Sequence, residues 1–293
     1  MKALLAELSA AISRASGVAF TVLDSQAVHG GDISQAFKLG DGTRTFFVKI
    51  RPASGIGLFE TEAAGLAALT GAAAIRVPTV LCHGVADNQA YLVLEYLPLS
   101  AHGDAAQLGR QLAQQHRVTA PQFGWTRDNW IGATPQPNGW RDDWIAFWSE
   151  HRLGFQLKQA AANGYGGALQ RDGEALMAHL PALFQGYVLR PALLHGDLWG
   201  GNHGFLPDGT PVIFDPAVYF GDRECDLAMS ELFGGFAPDF HAAYREAWPL
   251  DAGYPVRKTL YNLYHILNHA NLFGGGYAAQ AARMTAQLLA CLR

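Results

Sequence analysis

Charge is scarce in this chain. Of 293 residues, 16% are Asp, Glu, Lys or Arg and 49% are hydrophobic. That balance excludes a disordered polymer, and the length allows two lobes and a sizeable core. The little charge there is leans acidic, with 25 Asp plus Glu against 21 Lys plus Arg and a net charge of −4. A broad nucleic-acid-binding face is therefore not expected. No apolar run is long enough to span a bilayer, so no membrane partner is expected either. The opening Met1-Lys2-Ala3-Leu4-Leu5 could begin a signal peptide, but Glu7 and Arg14 interrupt the apolar run. Leu4, Leu5, Leu8 and Ile12 fall at helical spacing, which predicts an amphipathic first helix. Cysteine is also rare. Cys82, Cys225 and Cys291 are scattered and form no CxxC pair, which gives no metal framework and suits a reducing cytoplasm. Two nucleotide-binding signatures are missing as well: there is no GxxxxGK[ST] phosphate loop and no GxGxxG dinucleotide fingerprint.

What is present is a spaced set of polar residues. His195-Gly196-Asp197-Leu198-Trp199-Gly200-Gly201-Asn202 is followed by Val212-Ile213-Phe214-Asp215-Pro216. Asp197, Asn202 and Asp215 have the order and spacing that kinase-fold phosphotransferases need. The first Asp accepts the proton of the attacking hydroxyl, and the Asn and second Asp hold Mg²⁺ against the phosphoryl charge. The run Val212-Ile213-Phe214 predicts a buried strand that delivers Asp215. Singly, each of these residues could be an ordinary turn residue; the joint spacing is what carries the reading.

Upstream, Phe46-Phe47-Val48-Lys49-Ile50 predicts a strand with Lys49 near its end, and Phe59 to Leu69 predicts a helix carrying Glu60 and Glu62. A strand Lys that holds ATP phosphates, itself held by a helix Glu, completes the same machinery, and the helical pattern favours Glu62 over Glu60. A surface Lys and a solvated Glu near a helix start are the plainer alternative. Gly30-Gly31-Asp32 precedes Lys49. Gly30 and Gly31 would let backbone N–H groups approach phosphates, though a Gly-Gly hairpin turn explains them equally. Tyr91 to Leu97 predicts another strand, ended by Pro98. Glu95 and Leu97 would flank a hinge whose backbone meets adenine. From Asp104 onward helical patterns dominate, as in Ala106 to His116 and Asp142 to Ala162. The expected architecture is α+β: a two-lobed protein kinase-like fold with a small β-rich N-lobe over residues 1–97 and a helical C-lobe over 98–293.

His195 is expected to brace the loop around Asp197. With Asp197, His203 and Asp215 it could instead be read as a hydrolase metal site. Those spacings match no defined site type, and that reading leaves Asn202 and Lys49 unused.

The motif Leu194-His195-Gly196-Asp197-Leu198-Trp199-Gly200-Gly201-Asn202 resembles the fructosamine kinase family, the ketosamine-3-kinases related to aminoglycoside and choline kinases. Phe59-Glu60-Thr61-Glu62, Pro135-Gln136-Pro137-Asn138, Phe220-Gly221-Asp222-Arg223-Glu224 and Leu232-Phe233-Gly234-Gly235-Phe236 extend the resemblance, which runs from Gly30 to Tyr277. It implies transfer of the ATP γ-phosphate to the 3-hydroxyl of a ketosamine, followed by elimination that frees the amine, a repair of glycated lysine or small amines. It also implies that Asp197 is the base, that Asn202 and Asp215 hold Mg²⁺, that Lys49 binds ATP, and that Trp199 lies beside the sugar unless it merely packs the loop. Asp226 would brace the catalytic loop, or else cap the helix that follows it. Asp32 stands where some relatives carry a redox-sensitive Cys, so that switch is expected to be missing. An aminoglycoside kinase and a non-catalytic ATP-binding module remain as alternatives. Trp199 argues against the first, and the presence of Lys49, Asp197, Asn202 and Asp215 against the second.

Overall fold

The structure is a computed structural model that describes residues 2–28 and 34–292. Gly30, Gly31 and Asp32 lie outside the described residues. The chain forms two compact units. One runs to Asp104 and includes Gly204–Asp215; the other comprises Ala105–His203 and the chain from Pro216 onward.

The first unit contains helix α1 (Lys2–Ser16), strands β1 (Asp24–Val28), β2 (Gln35–Gly40) and β3 (Thr45–Pro52), helix α2 (Ile56–Ala72), and strands β4 (Val80–Ala86) and β5 (Gln89–Glu95). The strands form one antiparallel sheet in the order β1-β2-β3-β5-β4. Period-two alternation decides what each face carries. Val48 and Ile50 of β3 and Tyr91 and Val93 of β5 pack with Leu4, Leu8, Ala11 and Ile12 of α1. This is the buried stripe expected of an amphipathic first helix. Lys49, between Val48 and Ile50, points to the opposite face, where α2 lies and Glu62 meets it. The most central strand thus sends its buried charged residue, Lys49, away from the apolar core.

The structure carries the first unit on to Asp104 and returns Gly204–Asp215 to it. Backbone hydrogen bonds are the reason. Ser100 and Phe205 exchange N–H···O bonds of 2.8 and 2.9 Å, Asp104 N–H donates to Gly209 O at 3.1 Å, and Ile213 N–H donates to Arg76 O at 3.0 Å. These pairings join segments more than a hundred residues apart, which no local pattern discloses.

The second unit is mainly helical: α3 (Ala105–Gln115), α4 (Trp144–Trp148), α5 (Gly154–Ala162), α6 (Ala168–His179), α7 (Glu224–Leu232), α8 (Pro238–Ala247), α9 (Tyr254–Phe273) and α10 (Tyr277–Ala290). Its core is aromatic, with Trp144, Phe147, Trp148, Tyr261 and Tyr264 buried together. The helix expected over Asp142 to Ala162 starts at Trp144, because Asp143 caps it by accepting Ala146 N–H at 2.7 Å. It also widens into a π-turn at Ser149–Leu153. Arg152 on that turn is fully buried and donates to the Pro137 carbonyl and to Asn138 Oδ1 at 2.6 and 2.7 Å. Its guanidinium lies over the Tyr219 ring at 4.1 Å. The bulge sets the buried charge among carbonyls and ring faces.

Candidate active site

In the first unit, three charged side chains converge. Lys49 Nζ lies 2.7 Å from Glu62 Oε1 and 2.5 Å from Asp215 Oδ1. Glu60, the alternative partner in the sequence, is exposed. Burial alone would lower the Lys49 pKa, but the two carboxylates overcome it and hold the ammonium well above its ordinary range. Glu62 is pushed up by burial and by Asp215, and pulled down by Lys49. With one cation between two anions, Lys49 is the group whose charge is secure.

Asp215 follows the strand Pro211–Ile213, whose residues are all buried. The expected strand is therefore present but stops before Phe214. Asp215 itself has φ of +57°, in the left-handed region. Few residues other than Gly, Asn and Asp adopt it at low cost, so the same position that needs a carboxylate also tolerates one. Glu95, at the end of β5, directs its carboxylate to Arg76 and to Thr79 N–H, and its own N–H donates to Thr79 O. Leu97 lies in the stretch beyond that strand.

In the second unit the His195–Asn202 motif leaves the strand Ala192–Leu194, which pairs with Tyr219–Gly221. Asn202 Nδ2 donates to the Asp197 carbonyl at 2.9 Å and to Asp197 Oδ2 at 3.2 Å. A carbonyl can only accept, so the amide nitrogen must be the end that faces it, and the amide orientation is fixed. His195, fully buried, accepts Asp197 N–H on Nδ1 at 3.3 Å. Gly196 has φ of +84°, and a Cβ there would sit 2.0 Å from Ala217 O, so the turn into Asp197 admits glycine alone.

Asp226 anchors this loop. Its Oδ2 accepts His195 N–H at 2.7 Å, and its Oδ1 accepts Gly196 N–H at 2.9 Å. His116 Nε2 lies 3.1 Å from Oδ2. Burial would raise the carboxyl pKa, but the His116 contact and the N–H donors leave it below its ordinary value. The helix-cap alternative does not hold: Asp226 sits inside the first turn of α7, where Arg223 is the N-cap position. His116 and Tyr244, joined at 2.8 Å between Nδ1 and the hydroxyl, were not singled out from the sequence. They lie 110 and 128 positions from their partners, and nothing local marks them.

Trp199 is 40% exposed. Its ring covers Gly201, where a Cβ would lie 2.3 Å from it. The ring is thus in contact with its own loop, and the residue remains partly exposed. Taken singly, the Asn202 amide oxygen and the Asp215 carboxylate are hard donors of the kind Mg²⁺ takes. Among the described residues no three His, Cys, Asp or Glu side chains are grouped to hold a metal.

A family model described as fructosamine kinase matches residues 4–291. A Synechocystis protein assigned as a ketoamine kinase is 47% identical over 285 residues, covering 96% of this chain and 95% of that one. The chloroplastic protein-ribulosamine 3-kinase of Arabidopsis thaliana is 40% identical, covering 94% and 86%. The crystal structure of a Haemophilus somnus protein assigned as a fructosamine-3-kinase superposes with a TM-score of 0.90 at 29% identity, covering 98% of each chain. The fold is the protein kinase-like one, as expected.

Proposed function

The chain belongs to the fructosamine kinase family and is a phosphotransferase, and we propose that it transfers the γ-phosphoryl group of ATP to the 3-hydroxyl of a ketosamine through the residues described above. The observation that carries this reading is the Lys49 ammonium held between Glu62 and Asp215. Two carboxylates offset the cost of desolvating the ammonium, and a buried, electrostatically perturbed triad of this kind is characteristic of functional sites.

In this reading Lys49 binds the ATP phosphates and Glu62 keeps the Lys side chain extended toward them. Asp197 accepts the proton of the sugar hydroxyl. Its backbone is held by Asn202 and His195, and the two residues before it by Asp226, so the carboxylate needs little reorganisation. Asn202 and Asp215 would hold Mg²⁺, which supplies charge neutralisation for the transferring group. Trp199 offers its ring to the apolar face of the sugar. Glu95 and Leu97 flank the segment proposed to meet adenine. Gly30 and Gly31 are proposed to approach the phosphates through their backbone. The acceptor is a ketosamine on a lysine, free or in a protein, and the phosphate at O3 is then lost by elimination with release of the amine. Three unpaired cysteines suit a reducing, cytoplasmic setting. Among the described residues no helix is long and apolar enough to cross a membrane.

The test is product identity. Incubation with ATP, Mg²⁺ and fructosyl-lysine should give a phosphorus NMR signal assignable to the 3-phosphate, then free lysine on standing. A stable phosphate on another hydroxyl would refute the 3-kinase assignment.

A further inference from the structure

A cavity of about 500 Å³ opens in the second unit, lined by Arg117, Arg190, Arg223, Tyr187, Asp222 and Trp248 among others. The proposed function uses none of these residues. The volume lies in the range of small-molecule sites.

Two carboxylates, Asp222 and Asp251, also line the cavity, and both are engaged: Asp251 accepts from Gly253 N–H at 2.8 Å and from Arg257 Nη2 at 2.7 Å. Asp222 is fully engaged: Oδ1 accepts the Tyr187 hydroxyl and Glu224 N–H, and Oδ2 accepts the Tyr261 hydroxyl. Among the described residues no carboxylate hydrogen-bonds or ion-pairs with the three arginines, although the Asp222 charge lies near enough to Arg223 to favour its charged form. Arg223 donates to the Trp248 and Pro249 carbonyls and to the Tyr244 hydroxyl, all neutral acceptors. Arg117 uses one donor, on Ala247 O at 2.9 Å, and is exposed. Arg190 is exposed, with no hydrogen bond or ion pair from its side chain among the described residues. Guanidinium groups match phosphate oxygens two at a time and favour a dianion where several meet.

The cavity wall also connects inward. The Tyr244 hydroxyl that accepts from Arg223 lies 2.8 Å from His116 Nδ1, and His116 Nε2 lies 3.1 Å from Asp226. Asp226 in turn holds the backbone of His195 and Gly196. Tyr244, His116 and Asp226 are buried throughout, so the chain of contacts is not diluted by water.

We propose that this cavity is a second ligand site, which binds a phosphate dianion, free or carried on a small sugar, through Arg117 and Arg190, and that its occupancy reaches the loop around Asp197 through Arg223, Tyr244, His116 and Asp226. The ligand chemistry is a phosphate dianion. Inorganic phosphate and a sugar phosphate are its two sources.

The test titrates the full chain, free of nucleotide and at constant ionic strength, with inorganic phosphate, glucose 6-phosphate and glucose, followed by calorimetry. The site predicts saturable binding of a phosphate species with Kd below about 5 mM, no binding of glucose, and at least about a tenfold loss of affinity in Arg117→Ala/Arg190→Ala. If glucose 6-phosphate binds more tightly than phosphate, the sugar phosphate is the occupant; the reverse order names the free ion. Absence of saturable binding, or binding in the double variant within twofold of wild type, overturns the site. For the coupling, saturating ligand should change wild-type kcat at fixed saturating ATP, and Arg190→Ala should abolish that change while keeping basal turnover. Tyr244→Phe should bind the ligand normally and lose the kinetic response. A bound ligand that leaves wild-type kcat unchanged overturns the coupling.

Discussion

Lys49 and Asp215 stand 166 positions apart in the chain, and Nζ of the first lies 2.5 Å from Oδ1 of the second. The same ammonium is 2.7 Å from Glu62. Removing it leaves two carboxylates facing each other with nothing between. Lys49→Met should therefore lower kcat/KM for ATP by at least about 10²-fold, the scale of losing one aimed charge in an active site. Steady-state kinetics with ATP as the varied substrate check this. A variant within a few-fold of wild type would reduce Lys49 to a packing role.

Asp197→Asn keeps the shape of the side chain and removes its basicity. We expect kcat to fall at least about 10²-fold with an unchanged melting temperature. Turnover and thermal unfolding measured on one preparation separate lost chemistry from lost fold. Near-normal turnover in a folded variant would take Asp197 out of the proton transfer.

Asp226→Asn should fail differently. The carboxylate accepts His195 N–H and Gly196 N–H on separate oxygens, and an amide offers one oxygen only. One buried donor is then stranded against an NH₂ group, which costs about 2 kcal/mol or more. Both stability and kcat should drop, with the melting temperature falling by several degrees. An Asp226→Asn protein with wild-type stability would show that the loop is held elsewhere.

His265 gives a pH dependence with a definite sign. It is buried on α9, and burial lowers its pKa from 6.5 to about 3. Between those values the unfolded chain binds a proton that the folded chain refuses. Stability therefore falls as pH drops from 6.5 toward 3, by up to about 1.4 kcal/mol per pH unit from this one group. Above pH 6.5 it contributes no slope. Urea unfolding across pH 4.5 to 7.5 should show a shallower acid limb in His265→Asn than in wild type. Parallel curves would mean that other groups carry the acid sensitivity.

The site was legible in the sequence to the extent that its residues are close in the chain. Asp197 and Asn202 share one loop, and Lys49 and Glu62 share a strand and the helix after it, so spacing and periodicity suffice. Asp215 could be read because a buried strand precedes it, but its left-handed φ could not. The first helix followed from leucine spacing alone. The boundary at Asp104 and the return of residues 204–215 to the first unit depend on the Ser100–Phe205, Asp104–Gly209 and Arg76–Ile213 backbone pairings, and the local pattern stops at Pro98. The contacts of His116 and Tyr244, and the burial of Arg152 within the Trp140–Arg152 stretch that follows the family pattern, are not legible for a related reason. They are created by partners brought near only by the folded chain, or by a π-turn that no periodicity announces.

The central claim is that a ketosamine is the acceptor, and kcat/KM tests it across fructosyl-lysine, an aminoglycoside and choline. Trp199, 40% exposed with its ring over Gly201, provides a surface on which a sugar can stack. Fructosyl-lysine should be used far faster than either other acceptor. Trp199→Ala should lose more on fructosyl-lysine than in basal ATP hydrolysis, since water needs no stacking surface. Equal or better use of the aminoglycoside or of choline by the wild-type protein would contradict the ketosamine assignment and leave only a phosphotransferase of another small alcohol.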